Sequence, residues 1–204
     1  VADVVEECSN SHRDLRLNFL QALTYEVYEM EKNGFVDVAI AYEVEPEEGL
    51  FVEPLLSESL YVVGRPEIIG HCEDEISFAE LTKLPLIVDP SSHNKKQLLE
   101  RIAECQDLQL RDTLEIDGVG IRRQMIATRS RCTVTPYGLC MEEIMAGKFH
   151  ARKIVEPELE RTLCIAFKHA RLDVPGFQSL LRMVRGAVNH QIEDGHMRWR
   201  SVGG

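Results

Sequence analysis

Residues 29–64, EMEKNGFVDVAIAYEVEPEEGLFVEPLLSESLYVVG, restrict the fold more than any other stretch of the chain. Asn33-Gly34 closes an amphipathic run with the two residue types that best tolerate a left-handed helix cap. Val36, Val38, Ala39 and Ile40 follow, and so apolar a strand predicts a sheet covered on both faces. Val52, Leu55 and Leu56, then Leu60 to Val63, predict a second β segment whose two halves are linked by Ser57-Glu58. Helix, cap and buried strand form half of a β-α-β step, and the same step recurs downstream.

The chain before this stretch reads as a helix, a break and a strand. Val1, Val4, Val5 and Cys8 keep the spacing of one helical face, Ser9 to His12 is polar, and Leu15, Leu17, Phe19 and Leu20 predict a strand. Thr24 is placed to cap the helix that carries Val27 and Met30. Downstream, Ser77-Phe-Ala-Glu80 is a capping-box pattern at the start of a short helix with Phe78 and Leu81 inward. Pro85 to Asp89 predicts a buried strand, Pro90 to His93 a turn and cap, and Leu98, Leu99 and Ile102 the inner face of a helix. Leu108 to Ile116 alternates as a strand, Asp117-Gly118 turns into a helix with Ile121, Met125 and Ile126, and Cys132 to Thr135 is a strand stopped by Pro136. A helix over 138–146, strands at 154–155 and 163–167, and a long helix with Phe177, Leu180, Leu181, Val184 and Val188 complete the pattern, with Pro175 in the first turn of that helix. The polar tail from Glu193 is expected to fray. Strands alternating with helices in two blocks argue for two α/β lobes.

Charge and cysteine usage narrow the functional classes. A formal net charge of −11 repels a phosphate backbone, so any nucleic-acid contact is expected from outside this segment. No apolar run approaches the roughly 20 residues of a membrane helix, and no signal-peptide pattern opens the chain. The six cysteines are scattered without a CxxC pair, and read as small buried hydrophobes in a reducing, cytoplasmic setting.

Few groupings point to chemistry. Ser91-Ser92-His93 opens a helix just after a strand, where free N–H groups face an anion in an open α/β sheet. The same residues equally serve as helix caps. Arg122-Arg123 and Arg129/Arg131 cluster near a strand–helix junction, either to hold a carboxylate or simply to pair with the abundant acids. Tyr42, at the C-terminal end of a buried strand, is placed to meet a ligand or to pack. The glutamates at 43, 45, 47 and 48 lack the alternation of a calcium loop, and His71-Cys72 and His150 lack metal-ligand spacing. No G-x-S-x-G elbow, P-loop or G-x-G-x-x-G is present, so neither an enzyme nor a cofactor or metal is expected.

Gly34 to Ala41 followed by Pro54 to Val63 resembles the effector-binding domain of LysR-type transcriptional regulators. Ile76-Ser-Phe-Ala-Glu-Leu81 with Leu84-Pro-Leu-Ile87 is similar to the family's crossing into its second lobe. Ala146-Gly-Lys-Phe149, Ile154-Val-Glu-Pro157 and Arg161 to Ala166 resemble the segment that crosses back, and the final helix resembles the family's closing helix. No one of these is diagnostic, but their order and spacing together are specific.

The resemblance implies a type 2 periplasmic-binding-protein-like fold, two Rossmann-like α/β lobes joined by two crossover strands. Lobe I would comprise residues 1–84 and 167–204, and lobe II residues 85–166. It implies a domain that senses a small-molecule effector, a carboxylate or other anion, in a homo-oligomer, dimer or tetramer. DNA would be contacted only through a winged helix-turn-helix domain expected upstream of Val1, as is the family's first strand with its Ser/Thr-bearing turn. By position, Tyr42, Ser91, Ser92, His93, Gly118, Thr135 and Pro136 are the effector-contact candidates. The turn that is usually glycine-rich is here Ser130 to Thr135, before Pro136-Tyr137. A solute-binding protein of a transport system is the alternative with the same architecture.

Overall fold

The computed structural model describes residues 18–20, 22, 24–90, 94–116, 118–128 and 130–202. Packing divides the chain into two compact units, one of residues 1–58 and 161–204 and one of residues 59–160. The expected helix over 1–8, most of the expected strand at 15–20, and Ser91, Ser92, His93, Asp117 and Arg129 lie outside the described residues. Residues 18–20 are exposed and carry no regular structure.

In the first unit, helix α1 (Thr24–Lys32) leads through Gly34, at φ 74°, into strand β1 (Ala39–Tyr42). The left-handed stop forms as its sequence predicts, with Gly34 N–H donating to Glu31 O at 2.9 Å and Phe35 N–H to Met30 O at 2.8 Å. Strand β1 is not covered on both faces: Ala39 and Ala41 are buried, whereas Ile40 is 44% exposed. A run of small and branched apolar residues cannot by itself report how many faces a sheet hides.

Strand β2 (Leu50–Gly64) is one continuous 15-residue strand rather than two linked halves. Ser57-Glu58 stays extended because Glu58, only 3% exposed, has hydrogen-bond donors on both oxygens. The strand leaves the first unit after Glu58, so the packing division falls inside it and upstream of residue 84. Strand β8 (Glu160–Lys168) returns to the first unit and lies between β1 and β2. Ile165 and Phe167 on it, with Leu55, meet Phe177, Leu181 and Val184 of the long C-terminal helix, 177–194, to form this unit's core. That helix begins at Phe177 behind Gly176, whose φ is 83°, so Pro175 precedes the cap instead of occupying the first turn. The following tail does not fray: residues 199–200 pair with β2.

The second unit is built on the other half of β2. After it come α2 (Pro66–Ile69), β3 (Glu75–Ser77), α3 (Phe78–Leu81), β4 (Pro85–Val88), α4 (Asn94–Cys105), β5 (Asp112–Glu115), α5 (Val119–Thr128), β6 (Cys132–Pro136), α6 (Met141–Met145) and β7 (His150–Val155). The capping box is present, with the Ser77 hydroxyl accepting from Glu80 N–H at 3.3 Å and Glu80 Oε2 accepting from Ser77 N–H at 3.2 Å. Strands run in the order β3-β7-β2-β6-β4-β5. Neighbours β3/β7, β4/β5 and β4/β6 are parallel, whereas β2 is antiparallel to β6 and β7.

Alternation along β2 places Leu60 and Val62 on one face and Tyr61 and Val63 on the other, and each pair enters a different core. The first holds Ile69, Phe78, Leu81, Leu86, Leu99 and Ile154, and the second Ile87, Ile126, Cys140 and Phe149. Here the sheet is covered on both faces. Strand β5 is shorter than the alternation over 108–116 predicts and is exposed throughout, as befits the sheet's last strand, while Leu108 and Leu110 pack against the core from outside it. Ile121 turns outward, 59% exposed, and Pro136 closes β6 opposite Leu60, where its missing N–H costs nothing at a strand end. Cys132, Cys140 and Cys164 are buried as expected, but Cys72 and Cys105 are exposed; all five are free thiols.

Arg152, only 8% exposed, ties this unit's loops together. It donates to Ile69 O at 2.9 Å and to Glu75 O, and pairs with Glu73 at 2.7 Å. Orphan carbonyls left by α2 and the polar loop are thereby satisfied.

Candidate functional site

Strands β4, β5 and β6 run parallel, so their C-terminal ends share one edge of the second unit, and α4 and α5 both begin there. Edges of this kind collect ligands in open α/β sheets. Asp89 follows β4 directly. Its carboxylate is held by Lys95 Nζ at 2.7 Å and by Arg122 Nη2. The arginine also donates to Ile116 O at 3.3 Å. All three side chains are between 10 and 13% exposed. Burial pushes the Asp89 carboxyl up, and Lys95 and then Arg122 more than offset that, leaving it below its ordinary value.

Lys95 and Arg122 thus both face the Asp89 carboxylate. Among the described residues, Arg122 Nε is buried with no hydrogen-bond partner. A small anion would accept from that N–H. Lys96 is bound to Glu100 at 3.3 Å and to Glu115 at 2.5 Å, at the rim of the same edge.

The contact candidates fall as follows. Gly118 is exposed at φ 93°, in the turn that starts α5, with open space where a side chain would be. Thr135 and Pro136 are buried in β6, opposite Tyr61 and Leu60. Ser91, Ser92 and His93 span the connection from Asp89 to α4 and lie outside the described residues. Arg122, Arg123 and Arg131 all pair with acids, respectively Asp89, Glu143 at 2.8 Å and Asp112 at 3.0 Å. Asp89 and Lys95 were not marked by their sequence context, since a lone acid after a strand and a lysine in a first helical turn are ordinary surface residues.

Tyr42 belongs to the first unit. Its hydroxyl donates to Glu58 Oε1, and the Arg161 guanidinium carbon lies 3.7 Å from the centroid of its ring. Trp199 Nε1 donates to Glu58 Oε2 at 2.9 Å. Burial raises the Glu58 carboxyl, against the lowering effect of its two donors and Arg161. Burial and the Glu58 charge raise the Tyr42 phenol further above its ordinary range. From sequence Glu58 was read as part of a link between two strand halves; the signal that would have found it is an acid inside an apolar run, which must find partners or leave the strand.

Residues 1–189 match the LysR substrate binding domain. The chain belongs to that family. HTH-type transcriptional regulator BbuR of Bordetella bronchiseptica is 25% identical over 155 residues, 76% of this chain and 47% of the relative. The chain thus spans about half the length of the curated relative it matches. Among solved structures, the effector binding domain of QuiR in complex with shikimate is similar, with a TM-score of 0.76 at 17% identity over 93% of this chain and 90% of that one. The reduced OxyR regulatory domain from Pseudomonas aeruginosa has a TM-score of 0.72 at 16% identity over 92% and 89%. These likenesses assign the type 2 periplasmic-binding-protein-like fold expected from the sequence, and a regulator as relative favours the sensing domain over the transport alternative. No helix among the described residues is long and apolar enough to cross a membrane.

Proposed function

We propose that this domain senses a small carboxylate or similar anion for a cytoplasmic LysR-type transcriptional regulator. Binding shifts the balance between regulator states by its different affinity for them, and so alters DNA binding or transcription by the full-length, homo-oligomeric protein. The observation that carries the reading is the Lys95–Asp89–Arg122 set at the C-terminal edge of β4 to β6, with an Arg122 N–H that has no partner among the described residues. Gly118, Thr135 and Pro136 are candidates for the same ligand site from the elements of this edge, and Ser91, Ser92 and His93 are candidates by their position in the sequence after Asp89. Tyr42 is the candidate from the first unit, and its hydroxyl proton is already committed to Glu58.

The experiment is a thermal-shift and calorimetric screen of small carboxylates, starting with shikimate because QuiR is seen with it, on the domain and on Arg122→Gln. A ligand at 100 times its Kd adds about 2.7 kcal/mol of stability. The expected result is a binder whose affinity falls at least tenfold in Arg122→Gln. Absence of any anionic binder, or unchanged affinity in the variant, overturns the anion site. An effector that leaves operator binding and transcription by the full-length regulator unaltered overturns the regulatory role.

A further inference from the structure

The end of the chain lies beyond the family match, which stops at residue 189, yet it is built into the first unit's sheet. The long helix α7 (Phe177–Asp194) closes on Gly195, whose left-handed φ of 73° turns the chain back. Arg198 N–H then donates to Gly195 O at 3.1 Å, and β9 (Trp199–Arg200) runs antiparallel to β2, Trp199 opposite Glu58 and Arg200 opposite Ser57. Glu58 is the last residue of the first unit before the chain enters the second.

A carboxylate this deeply buried needs donors on both oxygens. One comes from Tyr42 near the start of the fold, and the other from Trp199 near its end. Arg161, the first residue on the chain's return, covers the Tyr42 ring. The last strand thus completes a hydrogen-bonded chain, Trp199 to Glu58 to Tyr42, that is anchored in three separate parts of the sequence.

We infer that residues 195–202 are a strap that latches the Tyr42–Glu58 pair, so that its release frees one oxygen of the Glu58 carboxylate for another partner. While the strap is docked, both Glu58 oxygens are engaged and β2 is paired at residues 57 and 58. Once it lifts, β2 loses that pairing and Glu58 loses one of its donors.

Trp199 is the sole tryptophan of the chain, so its fluorescence reports strap docking directly. Acrylamide quenching is measured on the wild-type chain and on Glu58→Gln, and amide hydrogen exchange on the wild type and on a chain ending at Gly195. The expected result is that Trp199 is quenched several-fold more slowly than free tryptophan and that Glu58→Gln erases most of that protection. Truncation accelerates exchange about tenfold in 39–42, which β9 does not pair with, while 85–88 in the second unit is unchanged. Quenching of wild-type Trp199 at the free rate, unaltered quenching in Glu58→Gln, or exchange in 39–42 that is unchanged or rises only in step with 85–88 overturns the strap. If the truncated chain does not fold, the quenching comparison decides.

Discussion

Arg122, in the first turns of α5, donates from Nη2 to the carboxylate of Asp89, 33 residues earlier, at the end of β4. One side chain thereby ties a helix start to a strand end at the edge where the ligand site is proposed. Asp89→Ala leaves two mostly buried cations facing each other, and is expected to cost about 3 kcal/mol in urea denaturation.

The same pair sets a pH dependence. The Asp89 carboxyl is held below its ordinary value of 3.8, so its stabilisation is complete above that pH and is lost as pH falls through its folded value. Stability curves measured between pH 2 and 6 should show a smaller acid loss in Asp89→Asn than in the wild type. Equal acid losses in the two proteins would contradict the ion pairing.

Glu31 behaves in the opposite sense. It is only 2% exposed, its Oε2 has no hydrogen-bond partner among the described residues, and burial raises its carboxyl above 4.5 despite Lys168 and Arg171 nearby. The folded protein holds this proton more tightly than the unfolded chain, so its contribution to stability declines as pH rises from 4.5 through the folded value. Glu31→Gln is expected to flatten that segment of the stability profile, read by urea titration from pH 4 to 8.

Gly64 ends β2 where no side chain fits. A Cβ there would lie 2.8 Å from Cys132 Cβ and 3.0 Å from Ile69 Cγ2. Gly64→Ala is expected to destabilise the protein by about 1–3 kcal/mol through overpacking, measured as a lowered urea midpoint. Phe35, 80% exposed, is the control: Phe35→Ser should stay within about 0.5 kcal/mol.

Ser77→Ala removes one side of the capping box that starts α3. Its expected cost is about 1 kcal/mol, again by urea denaturation, with Ser77→Asp retaining most of the stability because a carboxylate also accepts from the exposed helix N–H groups. A loss as large from Ser77→Asp would mean that the hydroxyl does something other than cap.

What the order of residues determined was local. The left-handed stop at Asn33-Gly34, the capping box at Ser77, the buried strand at 85–88 and the inward face of α4 follow from backbone conformation and hydrophobic period, which neighbours in sequence decide. The family was legible for the same reason, since it rests on the order of such local signals along the chain. Coverage of β1, the continuity of β2 through Glu58, the outward turn of Ile121 and the docking of the tail were decided only by the tertiary structure. Each depends on a partner far away in the chain: Trp199 reaches Glu58 across 141 residues and Arg122 reaches Asp89 across 33. Whether a buried charge is tolerated, and whether a polar tail is ordered, is set by the donor that the fold brings to it, and no period or propensity carries that information.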